Sequence, residues 1–338
     1  MILIVSESGD QSTNEVIEWL ILCKREYIRV NENDIIKIHN IDICNSIIPC
    51  ITFSINDNEP INTDEVTAYW FRRGLFNFFG VGENIQIKNK GIEHQIKANL
   101  KTEISRLGDL FQSVLETKNK IGSFYTADNN KITHLSIAKS VDLDVPKSII
   151  CTSMYSLKQF YSEHPKGVIT KPISDTLSLT DNSKCYNLYT NVINMDDLKT
   201  FPNSFHPTLV QEKIEKKFEI RVFFLKNKFY SMAIFSQKDD KTKIDFRRYN
   251  RQSQNYRIPF NLPIKIRNRL KKLMRLINLD CGSIDILYSL SGKYYFLEVN
   301  PVGQFGMVSY PCNYQLDKKI AYELIKKNGK KNKIQIYK

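Results

Sequence analysis

The sequence predicts a multi-unit protein of mixed α/β (α+β) type, and three observations carry that reading. Its 338 residues are enough for two or three structural units, at roughly 100 to 200 residues each. An apolar share of 42%, with 11% aromatic, supplies a core and excludes a wholly disordered chain. Strand-like apolar runs and stripes of helical period follow one another along the whole length, with no repeat or low-complexity segment between them.

Taken in order, residues 1–6 read as a short buried strand and 14–27 as a helix with Val16, Ile17, Leu20 and Ile21 on one face. The β-branched run 47–55 and the run 66–71, which leads into Arg72, Arg73 and Gly74, supply further strands. From Ile92 onward Ile96, Leu100, Ile104, Leu107, Phe111 and Val114 recur at steps of four or three, so a helix of about 25 residues is expected there. Asp128 or Asn129 can cap the next helix, which runs to Ser140 and is stopped by Asp144 and Pro146. Strands follow at 148–152 and 167–171 around a helix at 156–162. Three strand-like runs come next, at 208–214, 218–225 and 229–236, the last two joined by the turn Lys226-Asn227-Lys228. A helix at 263–277, a hairpin at 282–299 and a closing helix at 315–327 complete the pattern. Cuts near 120 and 206 divide it into units 1–119, 120–205 and 206–338.

Lys and Arg number 49 against 36 Asp and Glu, a net of +13. The excess is regional. Residues 211–275 hold 19 basic and 6 acidic residues, and the stretch from Lys326 adds six lysines and no acid. A concentrated surplus points to an anionic partner, whereas an even one would only aid solubility. The seven cysteines are odd in number and form no C-x-x-C pair, which argues against a disulfide framework and a zinc site. No apolar run approaches the length of a membrane span, and the start MILIVSESGD lacks the features of a signal peptide, so a cytoplasmic protein is expected.

The stretch 285–300 is the richest in chemistry. If its arms pair symmetrically about a centre between Ser291 and Gly292, in the turn Ser291-Gly292-Lys293, Asp285 lies opposite Glu298. Asn300, two residues on, then shares their face, while Leu297 and Val299 point the other way. Facing carboxylates destabilise a hairpin unless something positive sits between them, and hard oxygen ligands of this kind suit Mg²⁺ completed by water and phosphate. A solvated strand face would look the same in isolation. Lys171, which ends the run after Val168 and Ile169 and precedes Pro172, leaves a sheet edge at a fixed place. Glu219 and Arg221 share one face of a strand, with core residues Val222 and Phe224 alternating with them, and Arg247 lies in the loop beyond. Alone, Glu219 and Arg221 could be a surface ion pair. Together these residues offer cations for phosphate, acids for metal and strands to hold both, the inventory of nucleotide-dependent phosphoryl transfer.

Lys131 at a helix start, VITKP, LVQEKIEKKFEIRV, DFRR and FLEVNP follow one another across residues 120–310 in an order and at a spacing that resemble the ATP-grasp superfamily. YWFRRG at 69–74 looks like the W-x-R-R element of the microviridin-type peptide macrocyclases. The whole chain is most similar to their grasp-with-spasm branch, the graspetide ligases. The resemblance implies an N-terminal pre-ATP-grasp domain followed by a central and a C-terminal domain that clamp ATP between two β-sheets, with ATP and Mg²⁺ as cofactors. In that scheme Lys171 and Lys131 hold the α and β phosphates. Gln211, Glu212, Lys213 and Ile214 form the hinge beside adenine, and Glu219 meets the ribose hydroxyls. Asp285, Glu298 and Asn300 are the metal ligands. Arg247 meets the γ-phosphate and the developing acyl phosphate, with Arg221 in support. Arg72 and Arg73 either reach the substrate carboxylate or the phosphates, or form an interdomain ion pair. Many relatives cover the phosphates with a glycine-rich flap. Here no glycine falls between 168 and 281, so the loop after Pro172 would touch phosphate through Ser174, Thr176 and Ser178, or serve the peptide instead.

The implied reaction is phosphorylation of an Asp or Glu side chain of a ribosomal precursor peptide, after which a Thr or Ser hydroxyl, or a Lys amine, closes an ester or amide ring. An acidic precursor, a leader plus a Thr/Asp/Glu-rich core, would be the partner of the basic segment, with Arg247, Arg248, Arg251 and Arg257 as contacts. The resemblance also implies a homodimer and a radical SPASM protein as pathway partner. Two other readings stay open: a RimK-like ligase that adds a free amino acid to a carboxylate, and a nucleic-acid-binding protein whose stacking residues would be Phe246, Tyr249 and Tyr256.

Overall fold

The computed structural model describes residues 1–80, 85–127, 130–174, 178–181, 184–187, 189–237, 243 and 255–326. Contacts divide the chain into two compact units, Met1–Ala127 together with the segment that begins at Gln315, and Asp128–Tyr314. The helix Leu316–Ile325, which the sequence placed with 206–338, therefore groups with the first unit. Its apolar face of Leu316, Ile320, Ala321 and Leu324 is buried there. Trp19 Nε1 donates to Asp317 Oδ2 at 2.6 Å, and Asn119 Nδ2 donates to the Glu323 carbonyl at 2.8 Å.

In the first unit β1 (Ile2–Val5) pairs in parallel with β2 (Tyr27–Val30) and with β6 (Ala68–Phe71), and β6 pairs with β8 (Asn119–Ile121). All four residues of β1 are buried, as expected of a parallel strand covered on both faces. A second sheet has the order β5 (Ile61–Asn62), β4 (Cys50–Ile55), β3 (Ile35–Asp42), β7 (Asn77–Phe78). Asp10 caps the helix Gln11–Leu22 by accepting from the Thr13 amide at 3.3 Å. That helix stops short of the expected residue 27, because Lys24 turns to φ 52° and Tyr27 enters β2. The long helix Lys90–Glu116 is present, but its apolar stripe is fully buried only near its end, at Phe111, Val114 and Leu115.

In the second unit four strands form an antiparallel sheet in the order β13 (Asn191–Ile193), β10 (Val168–Lys171), β14 (Ser204–Glu212), β9 (Ser148–Ser153). Cys151, Val168, Ile193 and Val210 bury one face of it against Leu157 and Phe160 of the helix Met154–Ser162. A separate hairpin pairs β11 (Ser178–Asp181) with β12 (Lys184–Asn187). The five-stranded sheet runs β17 (Tyr256–Phe260), β16 (Lys228–Phe235), β15 (Lys216–Leu225), β18 (Cys281–Ser289), β19 (Tyr294–Asn300). Lys226 and Asn227 both have positive φ, 45° and 71°, so a two-residue turn of the kind that matches strand twist joins β15 to β16. Val222, Phe224, Ile284, Ile286, Phe296 and Val299 pack on Leu135 and Ala138 of the helix Lys131–Ser140 and on Leu270 and Leu273 of the helix Ile264–Leu276. Each Val, Leu, Ile or Phe buried in this way is worth roughly 1.5–3 kcal/mol. Asn130 caps the helix Lys131–Ser140, accepting from the Thr133 amide at 3.1 Å; the expected caps, Asp128 and Asn129, lie outside the described residues. No described helix is long and apolar enough to cross a membrane.

Gly122, just after β8, has φ +70°, and a Cβ there would lie 2.4 Å from the Phe71 carbonyl oxygen. Strain and overlap act together, so Gly122→Ala should lower stability by about 2 kcal/mol or more, read as a lower midpoint in urea unfolding of the first unit.

Candidate active site

Strand alternation decides what the second unit turns away from its core. With Val222 and Phe224 packed under the five-stranded sheet, Glu219 and Arg221 of β15 must take the opposite face. β18 brings Asp285 directly opposite Arg221, and β19 brings Glu298 opposite Asp285. On the four-stranded sheet Ile169 and Gln211 are register partners, and Lys171 lies two residues along β10 from Ile169. Residues 213–215 connect β14 of one sheet to β15 of the other. The cleft so formed has a volume of about 380 Å³.

Two β-bulges complete its wall. From the turn, Tyr288 pairs with Tyr294, Leu287 with Tyr295 and Ile286 with Phe296, but Asp285 pairs with Glu298, so Leu297 is an extra residue. Leu297, expected beside Val299 on the far face, therefore lines the cleft. A second shift, between Lys216 and Phe218, moves Lys216 to the same side as Glu219. Unbroken alternation would have put them on opposite faces.

Three acids of the cleft, Asp285, Glu298 and Glu219, each have a cation beside them. Arg221 Nη1 bonds Asp285 Oδ2. Lys131 Nζ lies 3.3 Å from Glu298 Oε2 and donates to the Ser174 carbonyl at 2.8 Å. Lys216 Nζ bonds Glu219 Oε1, which also accepts from Ser236 Oγ at 2.9 Å. Charges this close attract by about 4 kcal/mol at an effective dielectric near 20. Burial pushes the Glu219 carboxyl above the ordinary carboxylate range, and Lys216 and Ser236 pull it partly back.

The hinge is held through its first residues. The Glu212 amide donates to the Lys147 carbonyl and Glu212 Oε1 accepts from the Lys147 amide, both at 2.9 Å; the Lys213 amide donates to the Gly167 carbonyl at 3.0 Å. The amide and carbonyl of Ile214 have no backbone partner among the described residues. Gln211 is fully buried. Its Nε2 donates to Ser148 Oγ at 2.7 Å, and its Oε1 has no partner among the described residues, a situation that costs about 1–3 kcal/mol unless something fills it.

Of the residues singled out from sequence, Lys131, Lys171, Gln211, Glu212, Lys213, Ile214, Glu219, Arg221, Asp285 and Glu298 all line this one cleft. Asn300 is not among the lining residues, and its Oδ1 accepts from the Gly303 amide at 3.3 Å. Arg72 and Arg73 pair with acids of the first unit: each places its Nε 3.1 Å from Asp10 Oδ2, and Arg73 Nη1 lies 3.5 Å from Glu7 Oε2. Arg247, Arg248, Arg251 and Thr176 lie outside the described residues. Sequence reasoning missed Lys216, Gln237 and Lys243, which also line the cleft.

The fold of the chain has counterparts of known structure. The macrocyclase MdnC from Microcystis aeruginosa MRC, solved with the precursor peptide MdnA, is similar at 22% identity and a TM-score of 0.71 over 96% of this chain and 99% of that one. A Chryseobacterium gregarium RiPP-associated ATP-grasp ligase, in complex with ADP and a leader and core peptide, is similar at 22% identity and a TM-score of 0.77 over 99% of both chains. The chain has the ATP-grasp fold. A RimK domain ATP-grasp protein from Sphaerobacter thermophilus DSM 20745 shares that fold more distantly, with 10% identity and a TM-score of 0.53 over 96% of this chain and all of that one. No family model and no curated protein matches the sequence.

Within the ATP-grasp fold the Arg221–Asp285 pair is mostly buried, at 10% and 13% exposure. Arg221→Met should cost about 3 kcal/mol by leaving the carboxylate without its guanidinium, and adding Asp285→Asn should restore part of the loss. Urea unfolding of the single and double variants checks this; a single variant as stable as the parent would deny the pair its role.

Proposed function

We propose that this chain is an ATP-dependent ligase of the graspetide type, which phosphorylates Asp or Glu side chains of a ribosomal precursor peptide and closes ester or amide macrocycles on them with Thr, Ser or Lys side chains. The observation that carries the reading is one cleft between two sheets that gathers Lys131, Lys171, Lys216, Arg221, Asp285 and Glu298 beside a hinge whose Ile214 backbone groups have no partner among the described residues.

The apolar side chains of Ile169, Ile234, Leu287 and Leu297 suit a nucleobase, and the Ile214 amide can donate to a ring nitrogen. Glu219 accepts from the ribose hydroxyls. Lys171 and Lys131 take the α and β phosphates, and Glu212 and Lys213 act through the backbone they fix. Asp285 and Glu298 would hold Mg²⁺, with Asn300 as a third ligand once its oxygen leaves Gly303. Among the described residues no group of three or more His, Cys, Asp or Glu gathers for a metal, and two carboxylates suit Mg²⁺, which keeps waters and borrows phosphate oxygens. When bound, that ion supplies positive charge to the transferring phosphoryl group.

Two anions must meet when a peptide carboxylate oxygen attacks the γ-phosphorus and ADP leaves. Lys131, Lys171, Arg221 and, in this reading, Arg247 reduce that repulsion with charges already in place. A hydroxyl or amine then attacks the acyl carbon, the bond to phosphate breaks and inorganic phosphate leaves, and the nucleophile's proton goes to solvent or a nearby base. The acidic precursor, leader and core, meets the basic field between 211 and 275, with Arg72 and Arg73 acting at the peptide carboxylate once released from Asp10. In this reading the four-stranded sheet belongs to the central subdomain and the five-stranded sheet to the C-terminal one, with the boundary at 213–215, since a cut near 206 falls inside β14. The enzyme works in the cytoplasm as a homodimer, beside a radical SPASM protein. Peptide-bound relatives at TM-scores above 0.7 favour this reading over the RimK-like one. A concave, acid-containing cleft serves nucleic acid poorly.

Incubation with ATP, Mg²⁺ and the precursor should remove one water per ring, read by mass spectrometry. A gain equal to an added amino acid would favour the RimK-like activity, and nucleic-acid binding without nucleotide binding would overturn both. Burial holds the Glu219 carboxyl above the ordinary carboxylate range, so its protonation should weaken ATP binding as pH falls through that raised value. Lys216→Met removes the charge that pulls it down, so the loss of affinity should move to higher pH in binding titrations.

A further inference from the structure

The hydrogen-bond chain behind Gln211 fixes which atom that side chain can offer to the cleft. Ser148 on β9 and Gln211 on β14 are register partners. Ser148 Oγ donates its single proton to the Pro146 carbonyl at 2.8 Å, a group that can only accept. Towards Gln211 the hydroxyl is left only with lone pairs, so the amide must present its NH₂ to Ser148, as the 2.7 Å contact has it. The amide orientation thus follows from the Pro146 carbonyl and not from a choice between look-alike atoms. Oε1 is the remaining arm, buried and without a partner among the described residues, on a residue that lines the cleft.

We propose that Ser148 is a specificity-determining positioning residue: by anchoring the Gln211 NH₂ it fixes the amide so that Oε1, an acceptor, is the arm left to a ligand, which selects a purine with an amino group at position 6 over one with an oxygen there. The proposal rests on the nucleotide reading above. A 6-amino group donates to Oε1 and fills the orphaned acceptor, whereas a 6-oxo group sets two acceptors against each other. A site built to meet a donor rejects the analogue that lacks it, because its buried polar group then stays unpaired. Without the Ser148 hydroxyl the Gln211 amide can turn over and offer NH₂ to a 6-oxo base.

The test measures dissociation constants of Mg-ATP and Mg-ITP without peptide for the parent chain, Ser148→Ala, Ser148→Thr and Gln211→Leu, with thermal melts as a check on folding. The parent should bind ATP about tenfold or more tightly than ITP. In Ser148→Ala the ratio should fall toward unity, with ATP weakened and ITP strengthened. Ser148→Thr, which keeps the hydroxyl, should restore the parent ratio, a rescue that loss of packing alone would not give. Gln211→Leu should abolish the preference even if Ser148→Ala does not fold. A folded Ser148→Ala with the parent ratio, or a Gln211→Leu that still discriminates, overturns the proposal while ATP binding stands. A parent chain that binds neither nucleotide overturns the nucleotide reading itself.

Discussion

Like charges crowded on one face of a sheet set the constraint on which the second unit depends. β15, β18 and β19 carry Glu219, Asp285 and Glu298 on the face turned away from the helices, because the intervening residues are needed in the core. Three carboxylates so placed would repel one another and resist burial. Cations from different sources relieve this: Arg221 from the same strand, Lys216 from its bulged start, and Lys131 from the first turn of a helix. The site is thereby preorganised with its charges nearly balanced, and small rearrangements suffice to trade a protein cation for an ionic ligand.

Much of this was legible because it depends on alternation and on turns. The shared face of Glu219 and Arg221 follows from period two, whereas Asp285 meets Glu298 only because the bulge at Leu297 shifts a register that the turn alone would set at Asp285 against Leu297. What escaped depends on broken alternation. One extra residue at Leu297 and another between Lys216 and Phe218 each move a side chain to the face that a strict count denies it, and nothing local in FLEV or EKKF marks where a strand will bulge. The strand Ile35–Asp42 was missed for a related reason: His39, Asn40 and Asp42 dilute its apolar pattern. Arg72 and Arg73 show the converse. Their position after an apolar strand was read correctly, but their partners, Asp10 and Glu7, come from a loop more than sixty residues away, and only tertiary structure brings the two together.

The regional charge surplus also gains definition. Lys216 and Arg221, at its start, are mostly buried and tied to acids, so they belong to the cleft's internal balance more than to an external field. The helix Ile264–Leu276 is different: Ile266, Leu270, Leu273 and Met274 face the core, and its basic residues occupy the other side. Among the described residues, the field that a distant anion would sense is therefore carried by that helix more than by the residues that hold the site together.

The return of Leu316–Ile325 to the first unit means that this body is not contiguous in sequence. During synthesis, residues 1–127 emerge long before the helix that buries part of their surface, while 128–314 can emerge and fold as one stretch. The second unit is thus free to mature first, and the first unit waits with Trp19 and the face of the helix Gln11–Leu22 uncovered until the segment after Tyr314 leaves the ribosome.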